Sequence, residues 1–305
     1  MKARRVGAKL AGAAVLTAAL WFLARTMTAN WAELGRWRPA PEQVAALIAL
    51  AAAYAVLLML LAEAWHRICG VFGDEPRERT WRSYTTTLVA RYLPGNVLHL
   101  AGRAAMLRGG SLDERELGRA TALELVIVPG GAILALLCLW PLLPMPLLPD
   151  AISQVVPVGG PIAAAGLIAV LALAAPRPRG RSVLRLGPVL GLATLFMLGL
   201  GGVFAVVAAT VSSVAPSAAL PVAIVAWVAG YVAPGAPGGV GAREAMLVAM
   251  AGALGTSDGE ALLAAILFRI VTTSGELLCF AGGFALPRGR RRVRRFSLAH
   301  VARES

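Results

Sequence analysis

The sequence predicts an all-α polytopic membrane protein of six full spans plus two re-entrant broken helices, arranged as two inverted-topology repeats. Three observations predict it. Of the 305 residues 58% are hydrophobic and the mean hydropathy is +0.72, far above the balance of a soluble domain. Several runs approach or exceed the roughly 20 apolar residues that cross a hydrocarbon core, whereas the alternating segments of about 10 residues that mark a β-barrel are absent. One broken-helix signature then occurs twice, 140 residues apart: Pro94-Gly95 leads to Gly102-Arg103-Ala104-Ala105-Met106-Leu107, and Pro234-Gly235 leads to Ala242-Arg243-Glu244-Ala245-Met246-Leu247. Finally, the basic residues fall in blocks separated by connections without any.

The first repeat, 1–150, opens on span 9–27, which follows Lys2, Arg4, Arg5 and Lys9. This start resembles a signal peptide, but Leu16 to Leu23 leads into Arg25-Thr26-Met27-Thr28 rather than a small-residue cleavage site, so the segment is read as a span. Span 42–62 follows, then the broken segment 83–102 and span 119–140. The second repeat, 151–286, carries spans 158–175 and 187–211, the broken segment 222–255 and span 260–286. A basic cytoplasmic tail, 287–305, closes the chain.

Charge sets the sidedness. Connections 141–157 and 212–221 contain no Lys or Arg, whereas Arg177, Arg179, Arg181 and Arg185 share one short connection, and Arg288, Arg290, Arg291, Arg292, Arg294 and Arg295 share the tail. By the positive-inside rule the first two lie outside, and both termini lie in the cytoplasm of a cell membrane. Segment 83–102 then enters and leaves on the cytoplasmic side and 222–255 on the outer side. Three crossings per half is odd, so the second half is inserted upside down. The arginines at 36 and 38 sit awkwardly in an outer loop, beside Trp31, Glu33 and Trp37. Counting each broken segment as two short spans gives ten passes with the same sidedness. The formal charge of +13 is therefore a topology signal with some affinity for anionic headgroups, and nucleic acid is not an expected partner.

Paired Gly/Pro-interrupted segments, one per half, are the best sequence pointer to a transporter's substrate site. Irregular backbone at membrane depth must be buried in protein or line a watery cavity. Pro94 and Gly95 break the first segment, and Pro234-Gly235-Ala236-Pro237-Gly238-Gly239-Val240-Gly241 breaks the second more severely. A helix restarting after each break would aim a positive dipole end at a phosphate or carboxylate; plain helix breaks needed for packing are the alternative. Arg103 and Arg243, nine residues after each proline, are the candidate phosphate ligands, because a guanidinium binds phosphate bidentately and stays charged when buried. The competing reading is that each caps a loop or snorkels to its interface.

Glu124, Glu244, Arg269 and Glu276 are candidate intramembrane coupling residues, expected to face the interior and to pair. An Arg269–Glu276 or Arg243–Glu276 pair, or a proton relay, fits Glu276; a place at the interface, or pairing with Arg119 or Arg103, fits Glu124; Glu244 points elsewhere than Arg243, toward an outer vestibule. His99, between the first break and Arg103, is a candidate headgroup contact or a satisfied interfacial histidine. His66 and His300 carry no ligand signal. Cys69, Cys138 and Cys279 are widely spaced and form no metal or disulfide pattern. No nucleotide loop, nucleophile elbow or zinc-protease motif is present, so no catalytic residue, cofactor or metal is expected.

Arg91-Tyr92-Leu93-Pro94-Gly95 through Gly102-Arg103, and Ala233-Pro234-Gly235 through Gly238-Gly239-Val240-Gly241-Ala242-Arg243-Glu244, resemble the lysylphosphatidylglycerol synthase transmembrane-domain family of flippase-like proteins, over about residues 10–286. Asn96 departs from that pattern, standing where a basic residue is expected. The resemblance implies a module that translocates an anionic or zwitterionic phospholipid, or a lipid-linked saccharide. In bifunctional members it precedes a soluble aminoacyltransferase domain; the roughly 19 residues after the last span are too few to encode one. A separate synthase or glycosyltransferase is the protein partner it implies. The alternatives are a non-transporting partner that recruits such an enzyme, and an intramembrane lipid-modifying enzyme with His99 and Glu124 as acid and base.

Overall fold

The computed structural model describes residues 37–92, 98–139, 182–233 and 237–287, with isolated helical positions between 21 and 35. Spans 9–27 and 158–175, connection 141–157, the tail from 288, and the breaks Pro94-Gly95 and Pro234-Gly235 lie wholly or almost wholly outside the described residues. Every regular element among the described residues is helical. Four helices are long and apolar enough to cross a membrane: α1 (Pro41–Phe72), α4 (Glu114–Cys138), α5 (Ser182–Ala209) and α9 (Asp258–Ala285). They coincide with the predicted spans 42–62, 119–140, 187–211 and 260–286. These are the helices of a multi-pass membrane protein.

Their ends follow from local chemistry. α1 starts on Pro41, which suits a first turn because its missing N–H would have no partner there. It runs ten residues past the predicted end because Glu63 carries the extension: its carboxylate accepts from Arg67 one turn on and from Arg77 in the next helix, both at 2.9 Å. At 32 residues the helix is about 48 Å long and projects well beyond an apolar core of about 30 Å. α4 begins at Glu114, earlier than predicted, because Asp113 and Glu116 form a capping box with bonds of 2.7 and 2.8 Å. Ser257 and Glu260 cap α9 in the same way.

Between α1 and α4 lie α2 (Arg77–Thr85), a 3₁₀ turn (Leu88–Tyr92) and α3 (Leu98–Leu107). This stretch returns to its start: Arg79 donates to the carbonyls of Met106 and Arg108, at 3.3 and 2.9 Å. The buried carboxylate of Glu75 holds Arg79 at 2.9 Å and also accepts from the Ser111 amide. Between α5 and α9 the chain runs through α6 (Pro216–Val232), a 3₁₀ turn (Pro237–Gly239), α7 (Ala242–Ala249) and the short α8 (Ala251–Leu254). α6 starts six residues before the predicted segment, with Pro216 in its first turn. Gly238, Gly239 and Gly241 all have positive φ, 59°, 70° and 83°, a conformation that side chains with a Cβ rarely adopt.

The core is centred on α1 and α5, which pack on one another; α9 lies against α1, while α4 and α6 lie against α5. Tyr54 and Phe196 join the central pair, ring centroids 6.1 Å apart, and Phe204 meets Phe268 edge-on at 5.1 Å. Two glycines admit close approaches between the long helices. A Cβ on Gly131 would stand 2.6 Å from the Ala193 Cβ, between α4 and α5, and one on Gly275 would stand 2.6 Å from the Ala51 carbonyl, between α9 and α1. The two broken segments also touch, because Gly238 lies under the Tyr92 ring, where a Cβ would come within 3.0 Å.

Candidate functional site

Where the two broken segments meet, they line a cavity of about 290 Å³ together with α1, α4 and α5. Arg103 and Arg243, the matched arginines, both line it, together with Arg91, His99, Glu124, Gly238 and Gly239. Its aromatic wall is Tyr84, Phe196, Trp227 and Tyr231.

Arg103 projects from α3 and is 1% exposed, so it neither snorkels nor caps a loop. Its guanidinium stacks over Tyr84 at 3.9 Å, faces Trp65 at 5.3 Å and is ion-paired to Glu124 of α4. Of the two partners expected for Glu124, Arg103 is the one it takes. The pair does not exhaust either group: Arg103 Nε and Glu124 Oε2 are buried without a hydrogen-bond partner.

Arg243, in the first turn of α7, differs. Among the described residues it has no ion-pair partner. Its side chain lies against Gly230 of α6 and Gly239, with the guanidinium 5.7 Å from the Trp227 ring. A side chain at Gly230 would occupy the space Arg243 needs. The Arg243 Nε is buried and unpartnered, as is His99 Nδ1. The helix start itself offers less than expected, because the Gly241 amide is taken by the Glu244 carboxylate at 2.7 Å.

The remaining charges are paired, though not as expected. Glu276 on α9 accepts from Arg91 and from the Tyr92 hydroxyl, each at 2.7 Å, and from neither Arg269 nor Arg243. A spacing of seven along one helix separates Arg269 and Glu276 by about 10 Å, and the 3₁₀ turn delivers Arg91 instead. Arg269 reaches Glu244 at 3.3 Å and lies 5.8 Å from the Tyr92 ring. Arg91 and Tyr92 are site residues that charge spacing missed; the signal was their place immediately before Pro94-Gly95. Pro94, Gly95, Pro234 and Gly235 lie outside the described residues. His66 is bonded to Thr80 at 3.0 Å, away from the cavity. Among the described residues no cluster could hold a metal ion.

At one edge the cavity reaches the surface of α4. Leu125 lines it and is 44% exposed, and the Tyr231 hydroxyl of α6 donates to the Leu125 carbonyl at 2.9 Å. No protein-family model, curated protein or solved structure matches this chain.

Proposed function

We propose that the chain translocates a phospholipid or lipid-linked headgroup between leaflets, with the phosphate held in the cavity between the two broken segments. The observation that carries this reading is Arg243. It is a guanidinium lining the cavity with no carboxylate partner among the described residues, and a second arginine, from the matching signature, lines the same cavity. Arg243 is half-buried with its Nε fully covered; a partly desolvated charge without a counter-charge is costly, and an anionic ligand relieves that cost. The edge beside the exposed Leu125 gives acyl chains a way to stay in the bilayer while the head is inside.

The packing pattern supports a two-fold repeat, which the distribution of basic residues reads as inverted. Exchanging α1 with α5 and α4 with α9 maps the α1–α9 contact onto the α5–α4 contact, each pinched by a glycine, Gly275 and Gly131. The two broken segments exchange with each other. In this arrangement segment 83–102 dips from the cytoplasmic face and 222–255 from the outer face, of a cell membrane with both termini inside. Rocking of one repeat against the other would expose the cavity alternately. The kinship to lysylphosphatidylglycerol synthase transmembrane domains belongs to this proposal and rests on the two motifs.

The test is translocation of fluorescent phospholipids in proteoliposomes. Arg243→Gln is the informative variant, because its loss strands no buried carboxylate. We expect it to lower headgroup-dependent translocation at least about tenfold, the equivalent of one lost charge-assisted contact of about 1.4 kcal/mol. Unchanged translocation in folded Arg243→Gln protein would reject the mechanism.

A further inference from the structure

We propose that the seam between α4 and α6 is a side door of the cavity, latched by the Tyr231 hydroxyl on the Leu125 carbonyl, through which an apolar chain of the ligand passes to the bilayer. The inference rests on the reading above, of a head held inside with its chains outside, and names the contact that controls the passage.

The latch begins with a proline. In a regular helix the carbonyl of residue 125 accepts from the N–H of residue 129, but here that residue is Pro129, inside α4, which has no N–H. The sequence itself therefore leaves the Leu125 carbonyl open, on a stretch of α4 where Leu125 and Val126 are exposed. At membrane depth no water is at hand, and a neighbouring helix must supply the donor. α6 supplies it, since the Tyr231 hydroxyl donates to that carbonyl at 2.9 Å.

Position makes this bond a latch rather than a part of the core. Leu125 and Val128 of α4 and Trp227, Gly230 and Tyr231 of α6 line the cavity from the two sides of the seam, so parting them opens it sideways. α4 and α6 each pack mainly on α5 and touch one another lightly. Among the described residues Tyr231–Leu125 is the one hydrogen bond between them, and no ion pair joins them. Pro129 is followed by Gly130 and Gly131; with one backbone bond missing and two glycines adjoining, α4 bends there at least cost. The latch also adjoins the anion site. Tyr231 stacks on Trp227, ring centroids 5.1 Å apart at 17°, and Trp227 faces the Arg243 guanidinium at 5.7 Å. Size requires such a door: about 290 Å³ is roughly ten water volumes, too little for acyl chains, so the chains of a bound lipid need a gap in the wall.

The experiment measures access to the cavity from the bilayer. Leu61→Cys puts a thiol on the α1 wall of the cavity, at a buried position. The full chain in proteoliposomes is treated with N-dodecylmaleimide, which partitions into the bilayer, and mass spectrometry reads the adduct at position 61. Tyr231→Phe keeps the ring and its stack and removes only the hydroxyl. It is expected to speed labelling at position 61 at least about threefold, the worth of one interhelical hydrogen bond in a membrane. Labelling of Cys69 and Cys279, which are buried and do not line the cavity, should not change. Pro129→Ala restores the missing N–H, and in that background Tyr231→Phe should lose most of its effect. A rate at position 61 indifferent to Tyr231→Phe, an equal acceleration in the Pro129→Ala background, or acceleration at all three thiols each overturns the inference, as does the absence of any adduct at position 61. None of these readouts involves transport. A working latch in protein that translocates no phospholipid leaves the door standing and rejects the translocation reading, whereas translocation that needs Arg243 but ignores the latch rejects the door alone.

Discussion

Arg103 and Arg243 hold matched places in the two signatures but carry different electrical loads. Arg103 is clamped between Tyr84 and Glu124 at 1% exposure, so removing it strands a carboxylate in the core. Arg103→Ala is expected to destabilise the fold by about 3–5 kcal/mol, read as a lowered thermal unfolding midpoint in detergent. Arg103→Ala/Glu124→Ala should recover much of that loss. Arg243→Gln should move the midpoint far less, and equal losses for the two arginines would contradict the distinction. The matched arginines and the glycines beside them were legible in the sequence because Pro, Gly and Arg are all costly in an apolar segment and recur at one offset. Which carboxylate each arginine meets was not legible. Glu276 takes Arg91, from 185 residues away, and only the tertiary fold can bring them together. Trp65, Tyr84 and Trp227 escaped notice for a related reason: in an apolar chain a single aromatic residue is indistinguishable from core filler until an arginine is seen lying on it.

The long helices are the part of the fold most visible in the sequence, since uninterrupted apolar length is itself the signal. Their ends were less visible because polar caps and ion pairs extend α1 and α4 beyond the apolar run. The close helix approaches were invisible, because a glycine that admits a neighbouring backbone reads the same as one that does not. Gly275→Leu, at the α9–α1 contact where even a Cβ would stand 2.6 Å from the Ala51 carbonyl, is expected to cost about 1–3 kcal/mol by overpacking. Gly282→Ala on the same helix has nothing within 4 Å and should be neutral or stabilising by up to about 1 kcal/mol. Parallel unfolding curves of the two variants check this; equal effects would mean that α9 does not approach α1 as described.

For the whole molecule, the proposed inverted arrangement requires that α4 and α9 begin at opposite faces of the membrane. With Cys138 replaced by Ala, Arg115→Cys at the start of α4 should react with an impermeant maleimide only from the cytoplasmic face. Asp258→Cys at the start of α9 should react only from outside. Labelling of both from one face would reject the inverted repeat while leaving the cavity untouched. The clasp of Arg79 on the carbonyls of Met106 and Arg108 carries a consequence for synthesis. Its two sides are 27 and 29 residues apart, so at ribosomal rates of about 5–20 residues per second Arg79 waits roughly 1 to 6 seconds for its acceptors. Until then Arg79 has the upstream Glu75 carboxylate as its partner but not the carbonyls of Met106 and Arg108. The first broken segment therefore closes only after its whole length has been made.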